Sequence, residues 1–286
     1  MSKSISRTQL QAIIKSITKF YPTAYADSAW DNTGLLLDCS TAETTISEPK
    51  VLLTIDLTSS VAQEAIDKNC SVILAYHPFI FPSWKKLAPW SNPQHESAIK
   101  LIQNGISVYC PHTAVDAAKD GVNDWLVRGL VQNQAIIQSF ETIEKVAPIQ
   151  NEQEHEVGYG RIVKFTQQVS LEDIVSSVKK SLGIQHVQVS SKYADLSEHK
   201  IGTVALCAGS GSGVFRGIKE EVDLYYTGEL SHHEVLKYKE MGKAVIVCNH
   251  SNTERGYLND VMYKALSTEG IKCIVSETDV DPLRVV

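Results

Sequence analysis

Residues 51–81, VLLTIDLTSSVAQEAIDKNCSVILAYHPFIF, decide the fold class. Positions 51–55 form a short apolar run, as expected of a strand buried on both faces. Positions 60–68 read as a helix, with Ser60 and Gln63 spaced as a capping box. Positions 72–75 return to a strand that ends in Tyr76-His77-Pro78. Strand, helix and strand in so short a span are the grammar of an α/β sheet.

The same grammar extends outward. A helix over 96–104 stops at Gly105 and leads into a strand at 106–110. The pattern weakens after Gly121, and 132–157 is polar with few apolar anchors, which marks a change of domain. Beyond it come a strand at 160–166, a helix at 171–182 and a strand at 187–190. The last third then runs strand 201–207, glycine-rich turn 209–213, helix 214–220, strand 224–226, helix 235–241 and strand 244–248. These spans predict two α/β lobes, the first discontinuous (1–130 with 236–286) and the second covering 131–235.

A chain of 286 residues fits two domains at roughly 100 to 200 residues each. It is 43% hydrophobic and 21% charged, inside the range of globular proteins. The net charge of -6 leaves no cation excess to neutralise a polyphosphate backbone, so nucleic-acid binding is not expected. The longest apolar run, near 72–81, is broken by His77 and Pro78 and falls short of a membrane span, so no membrane partner is expected. The N-terminal stretch carries Lys3, Arg7, Lys15 and Lys19 and no acid before Asp27. An amphipathic helix with Leu10, Ile13, Ile14 and Ile17 on one face is the preferred reading, and a mitochondrial presequence is the alternative to a cytoplasmic location. The six cysteines are scattered without a C-x-x-C pair, which fits a reducing compartment.

In open α/β sheets, ligands gather at the carboxyl ends of the strands. The polar residues expected there are Asp56, Tyr76-His77, His112 with Asp116, the 227–233 segment with Glu229, His232 and His233, and His250 with Glu254. His95 falls beside such a loop as well. A repeated pattern stands out: Cys110-Pro111-His112 and Cys248-Asn249-His250 each close a strand, and an acid follows four residues later, Asp116 or Glu254. Internal duplication and convergence both produce such a pattern. Imidazole mixed with carboxylate suits zinc, manganese, iron or nickel better than calcium or magnesium. His250 and Glu254, at i and i+4, can share one ion, which would make a bound water acidic enough for hydrolysis at neutral pH. The alternative for any single histidine is a hydrogen-bonded structural role.

Other features divide between function and structure. Gly209-Ser210-Gly211-Ser212-Gly213 is either an anion cradle or a tight turn, and lacks the spacing of a dinucleotide fingerprint or P-loop. Ser231 with Glu234 is a capping box. Asp31 either orients a site histidine or caps its own turn. Cys110 and Cys248 read as core residues. Trp84 and Trp90, amid Pro82, Pro89 and Pro93, mark an irregular loop that covers the site or meets a partner.

Taken together, Trp30-Asp31-Asn32-Thr33-Gly34, Tyr76-His77-Pro78, His112-Thr113-Ala114-Val115-Asp116, Gly121-Val122-Asn123-Asp124, the 209–213 turn, the 227–233 segment and His250-Ser251-Asn252-Thr253-Glu254-Arg255-Gly256 resemble the Nif-three-like family. The order and spacing match over nearly the whole chain, and the closing 277–282 segment looks like the eukaryotic branch. The resemblance implies two α/β lobes with a metal site in the cleft between them, one or two divalent ions, and assembly into a homo-oligomer, commonly a hexamer. It implies His77, Asp116, His250 and Glu254 as ligands, with His112 close by. From the residues themselves, Asp31, Glu229, His232 and His233 are expected, with His112, behind the ligands or at the substrate, and Gly209, Ser210 and Gly211 are the anion-binding candidates. Many bacterial relatives carry a second histidine where this chain has Tyr76; a phenol, with a pKa near 10, is a poorer ligand, which leaves the second ion open. The family label, GTP cyclohydrolase type-two homolog, implies a hydrolase-like protein acting on a small phosphorylated or nucleotide-like substrate. The family name implies the rival reading, a regulatory protein that binds a transcriptional coactivator and whose metal site is structural.

Overall fold

The computed structural model describes residues 4–42, 46–81, 83–149 and 156–286. Met1 and Lys3 of the basic N-terminal stretch, Pro82 of the tryptophan-bearing loop and 150–155 of the polar segment lie outside these residues. The chain is mixed α/β and divides into two compact units: residues 1–115 with 257–280, and residues 116–256 with 281–286.

The first unit begins with α1 (Arg7–Phe20), opened by a Ser6/Gln9 capping box. Leu10, Ile13 and Ile17 form its buried face, so this segment is the amphipathic helix that its spacing predicts. Next come β1 (Gly34–Leu37), β2 (Lys50–Thr54), α2 (Ser59–Asp67), β3 (Val72–Ala75), α3 (Pro93–Asn104) and β4 (Ser107–Cys110). The sheet order is β1-β4-β3-β2-β11, where β11 is Lys272–Val275. Its members are parallel except β1, which is antiparallel to β4. The central strands β2, β3 and β4 are largely apolar and buried, and Leu52, Ile73 and Val108 pack with Val61, Ala65, Ala98 and Leu101 of α2 and α3. Each such buried aliphatic contributes roughly 1.5–3 kcal/mol. Asn92 caps α3 ahead of Pro93, and Gly105 ends it in a left-handed conformation. The cap of α2 is Thr58, whose hydroxyl accepts from Val61 N–H. Ser60 is therefore already helical, and Gln63 donates instead to Asp67.

The second unit holds α5 (Val122–Gly129), β5 (Ile137–Val146), β6 (Val157–Ser170), α6 (Leu171–Leu182), β7 (Gln188–Ser190), β8 (Lys200–Ser210), α7 (Ser212–Phe215), β9 (Leu224–Glu229), α8 (His232–Glu240) and β10 (Ala244–Val247). A five-residue helix, α4 (Thr113–Ala117), precedes them. The sheet order is β5-β6-β8-β9-β10-β7. β8, β9 and β10 run parallel, and β7 is antiparallel to β10. Phe215, Tyr225, Tyr238 and Val245 centre the core on one face.

Several expectations need adjustment. The polar segment after Gln132 contains β5, an edge strand mostly open to solvent, which is why its sequence lacks an apolar period. β8 runs on through Ser210, so the glycine-rich stretch starts inside a strand, and the helix expected at 214–220 is the single turn 212–215. The expected lobe limits, 130/131 and 235/236, differ from the compact units because α5 packs on β6 and β8, while β10 pairs with β9. All six cysteines are free thiols.

Topology carries the repeat further than the Cys-x-His motif does. The order α1-β1-β2-α2-β3-α3-β4 recurs as α6-β7-β8-α7-β9-α8-β10. The sheet order β1-β4-β3-β2 recurs as β7-β10-β9-β8, antiparallel edge strand included.

Candidate functional site

In the first unit, β2 and β3 end side by side. Asp56 follows one and His77 the other, and His77 Nδ1 lies 2.9 Å from Asp56 Oδ1. His112 follows β4 with φ +29°, on the left-handed side of the backbone map. Its Nδ1 lies 2.7 Å from Asp31 Oδ1, while Asp31 Oδ2 accepts from Thr113 N–H at 3.2 Å and Thr113 Oγ at 2.5 Å. Burial alone would raise the Asp31 carboxyl, but the His112 and Thr113 hydrogen bonds outweigh it and hold the group below its ordinary value. Asp31 Oδ1 thus meets both His112 Nδ1 and, within its own turn, the Asn32 N–H at 2.7 Å. Tyr76 is 1% exposed, its ring set edge-on to His77 and His112 at 5.4 and 6.1 Å.

In the second unit, β10 ends at Val247, and beyond Cys248 the residue Asn249 takes the left-handed conformation, with φ +68°. His250 Nδ1 lies 3.1 Å from Glu229 Oε2, at the end of β9. His250 Nε2 lies 3.4 Å from Glu254 Oε1, and the Glu254 side chain is 4% exposed. Two donors each about 2.1 Å from one tetrahedral ion stand about 3.4 Å apart, so this pair fits two positions of a metal shell. His250 and Glu254 reach each other across the 3-10 turn 251–253 and not along an α-helix.

The end of β8 is the floor of this half. Gly209 has φ +59°, and a Cβ there would sit 2.8 Å from both Glu254 Oε1 and His250 Nε2. Its N–H donates to Thr253 Oγ at 2.8 Å, and its carbonyl accepts from Thr227 Oγ at 3.1 Å. An amide so engaged, beside a carboxylate, is poorly placed to cradle an anion. α7, which follows, is a single turn. Asp116 stands on α4, and its carbonyl accepts from Asn123 Nδ2 at 2.9 Å.

The remaining candidates sit elsewhere. His232 and His233 are exposed on the first turn of α8, ring against ring at 5.4 Å, behind the expected Ser231/Glu234 capping box. His95 is buried on α3 against Trp84, 4.5 Å between rings, and its Nδ1 accepts from Ala88 N–H, a structural role. Cys110 and Cys248 are core residues. Burial pushes the Cys248 thiol up to about 12. Burial, then the Asp116 and Glu254 carboxylates, raises Cys207 well above its usual value. Burial thus favours the neutral thiol at both positions. Three contributors lacked an assigned role in the sequence: Asp56, Asn123 and Thr253. Asp56 is visible as a strand-end acid, whereas Asn123 and Thr253 lie inside the 121–124 and 250–256 motifs with no feature that assigns them a part.

The profile of the family described as Duf34/NIF3 (NGG1p interacting factor 3) matches residues 8–282, and the chain belongs to this family. "NGG1-interacting factor 3" of Saccharomyces cerevisiae is 62% identical over the whole of both chains. "Protein NIF3 homolog" of Schizosaccharomyces pombe is 46% identical over 99% of each. Among solved structures, a Bacillus cereus protein related to NIF3 superposes with a TM-score of 0.78 at 20% identity, covering 96% of this chain and 98% of that one. It shares the two-sheet α/β fold.

Proposed function

We propose that this chain binds divalent transition metal through His77, Asp116, His250 and Glu254, and acts in a hydrolase-like manner on a small phosphorylated or nucleotide-like substrate. The observation that carries the reading is the orientation of the imidazoles. His77, His112 and His250 each turn Nδ1 toward a carboxylate, of Asp56, Asp31 and Glu229. Such a partner places the ring proton on Nδ1 and raises the basicity of Nε2, the arrangement that metal-binding histidines use. The 3.4 Å spacing of His250 Nε2 and Glu254 Oε1 supports the same reading. A divalent ion, when bound, supplies Lewis acidity to a substrate oxygen or a water. The chain's own part is to orient: Asp56 and Glu229 fix two rings, and the buried Glu254 brings negative charge to balance the cation.

Elemental analysis of protein purified without chelator or nickel resin tests the proposal. Near-stoichiometric zinc, manganese, iron or nickel is expected, falling sharply in His250→Ala. Protein that lacks stoichiometric metal, whether or not His250 is present, overturns it. A second reading rests on the printed name of the relative that is 62% identical, an NGG1-interacting factor: binding to a transcriptional coactivator. Retention of the NGG1 counterpart by His250→Ala and Glu254→Ala, with no turnover by the wild type, favours that reading over catalysis.

A further inference from the structure

We propose that Asn123 and Thr253 are positioning residues that fasten the second unit's three metal donors to one point of the fold, the Ala208–Gly209 end of β8. The inference rests on the metal-binding reading above. Asn123 is fully buried and uses both ends of its amide: Nδ2 donates to the carbonyl of Asp116 at 2.9 Å, and Oδ1 accepts from Ala208 N–H at 3.0 Å. Thr253 is fully buried too. Its hydroxyl accepts from Gly209 N–H at 2.8 Å and donates to the carbonyl of His250 at 2.7 Å. One amide therefore ties Asp116 to residue 208, and one hydroxyl ties the His250–Glu254 turn to residue 209.

These are not generic packing contacts. A side-chain amide can donate to one backbone carbonyl and accept from another backbone N–H, as Asn123 does, and a buried threonine needs both of its partners to offset its desolvation. Thr227, also buried, adds a third bond by donating to the Gly209 carbonyl at 3.1 Å. The end of β8 is thereby held on its N–H and C=O sides together. Because the donors hang from one backbone segment, the half-site keeps its spacing before any ion arrives, and little ordering remains to oppose binding.

The test is the affinity of the full chain for Zn2+ and Mn2+, by competition with a chromophoric chelator after EDTA treatment. Thr253→Val keeps the shape and removes the hydroxyl, and Thr253→Ser restores the hydroxyl. Asn123→Asp keeps the acceptor for Ala208 N–H and removes the donor to Asp116. Metal binding is expected to weaken about 10- to 100-fold in Thr253→Val and in Asn123→Asp, with Thr253→Ser within about threefold of wild type. Near-UV circular dichroism in EDTA reports the fold, and should Thr253→Val fail to fold, Asn123→Asp and Thr253→Ser carry the comparison. Wild-type affinity in Thr253→Val or Asn123→Asp, or a Thr253→Ser affinity as poor as that of Asn123→Asp, overturns the assignment. Failure of the wild type itself to bind metal defeats the metal reading instead, so the two failures are distinguishable.

Discussion

Gly209→Ala separates the needs of the candidate site from the needs of the fold. At φ +59° an alanine pays a left-handed penalty of about 1–2 kcal/mol. The added methyl would stand 2.8 Å from Glu254 Oε1, 2.8 Å from His250 Nε2 and 3.1 Å from His250 Cε1. Comfortable non-bonded separation is about 3.5 Å, so both side chains must retreat by roughly 0.5–0.8 Å. The close atoms are side-chain ends and not backbone, so they yield more readily than backbone would, which keeps the cost to folding near the backbone term. Metal shells tolerate displacements of only about 0.2 Å, so the cost to ligation is far larger. The expected result is a thermal midpoint in EDTA lowered by roughly 2–8 °C and a metal affinity reduced at least tenfold. Gly213→Ala is the control, since nothing lies within 4 Å of its Cβ position; it should change neither quantity. Calorimetry and chelator competition on the two variants decide the matter. A Gly209→Ala protein that binds metal as the wild type does would refute the reasoning.

Three further outcomes follow from named contacts. Asp56→Asn keeps the shape beside His77 Nδ1 but removes the charge, and is expected to weaken metal binding about 10- to 100-fold; unchanged affinity would show that Asp56 does not tune His77. Glu64 on α2 accepts from Lys68, Ser276, Glu277 and Thr278, and although burial opposes ionisation these bonds bring its pKa down to about 2 from 4.5. Its stabilisation is present above pH 4.5 and is lost as pH falls toward about 2, so Glu64→Gln should cost about 2–3 kcal/mol at neutral pH and flatten acid unfolding in that window. A parallel acid-unfolding curve for Glu64→Gln counts against this. Arg161 on β6 is 1% exposed, with Nε 2.6 Å from Asp124 Oδ1 and Nη1 bonded to the Gly158 and Gly160 carbonyls. Arg161→Met strands a buried carboxylate and should cost about 3–5 kcal/mol by urea unfolding, most of it recovered in the double variant with Asp124→Leu.

What could be read beforehand depended on whether a residue's role leaves a local trace. The limits of α6 match the expected 171–182 because Ser170 caps one end, Gly183 stops the other, and Glu172, Asp173, Lys179 and Lys180 suit the helix dipole. The Ser231/Glu234 box was legible for the same reason. β5 was not, because a solvated edge strand has no apolar period. The α2 start was misplaced because Thr58, Ser59 and Ser60 are all competent caps, and only tertiary position chooses among them. At the candidate site, Asp31 reads in the sequence either as an orienter of a histidine or as a turn cap, and the structure sets its Oδ1 2.7 Å from His112 Nδ1. Asn123 and Thr253 each also reach one backbone N–H far along the chain, that of Ala208 and that of Gly209, and no spacing rule encodes such a partner.

The repeated half explains why the two histidine loops resemble each other and where they part. Seven elements recur in one order, and four strands recur in one lateral order with the same antiparallel edge. Convergence would have to reproduce all of this, whereas duplication produces it in one step, so the topology favours duplication. The register then aligns individual residues. Leu74 pairs with Tyr109, one residue before Cys110, and Thr227 pairs with Val247, one residue before Cys248. Two residues past Leu74 is Tyr76, and two past Thr227 is Glu229. Glu229 therefore holds in the second half the slot that Tyr76 holds in the first. In the second half that slot supplies the carboxylate to His250 Nδ1, at 3.1 Å. In the first half it holds a buried phenol ring 6.1 Å from the ring of His112, and the carboxylate comes from Asp31, ahead of the edge strand β1. The histidine position is thus the inherited feature, while its acidic partner is set separately in each half. A carboxylate at position 76 would compete with Asp31 for His112, which gives a physical reason for a neutral side chain in that slot.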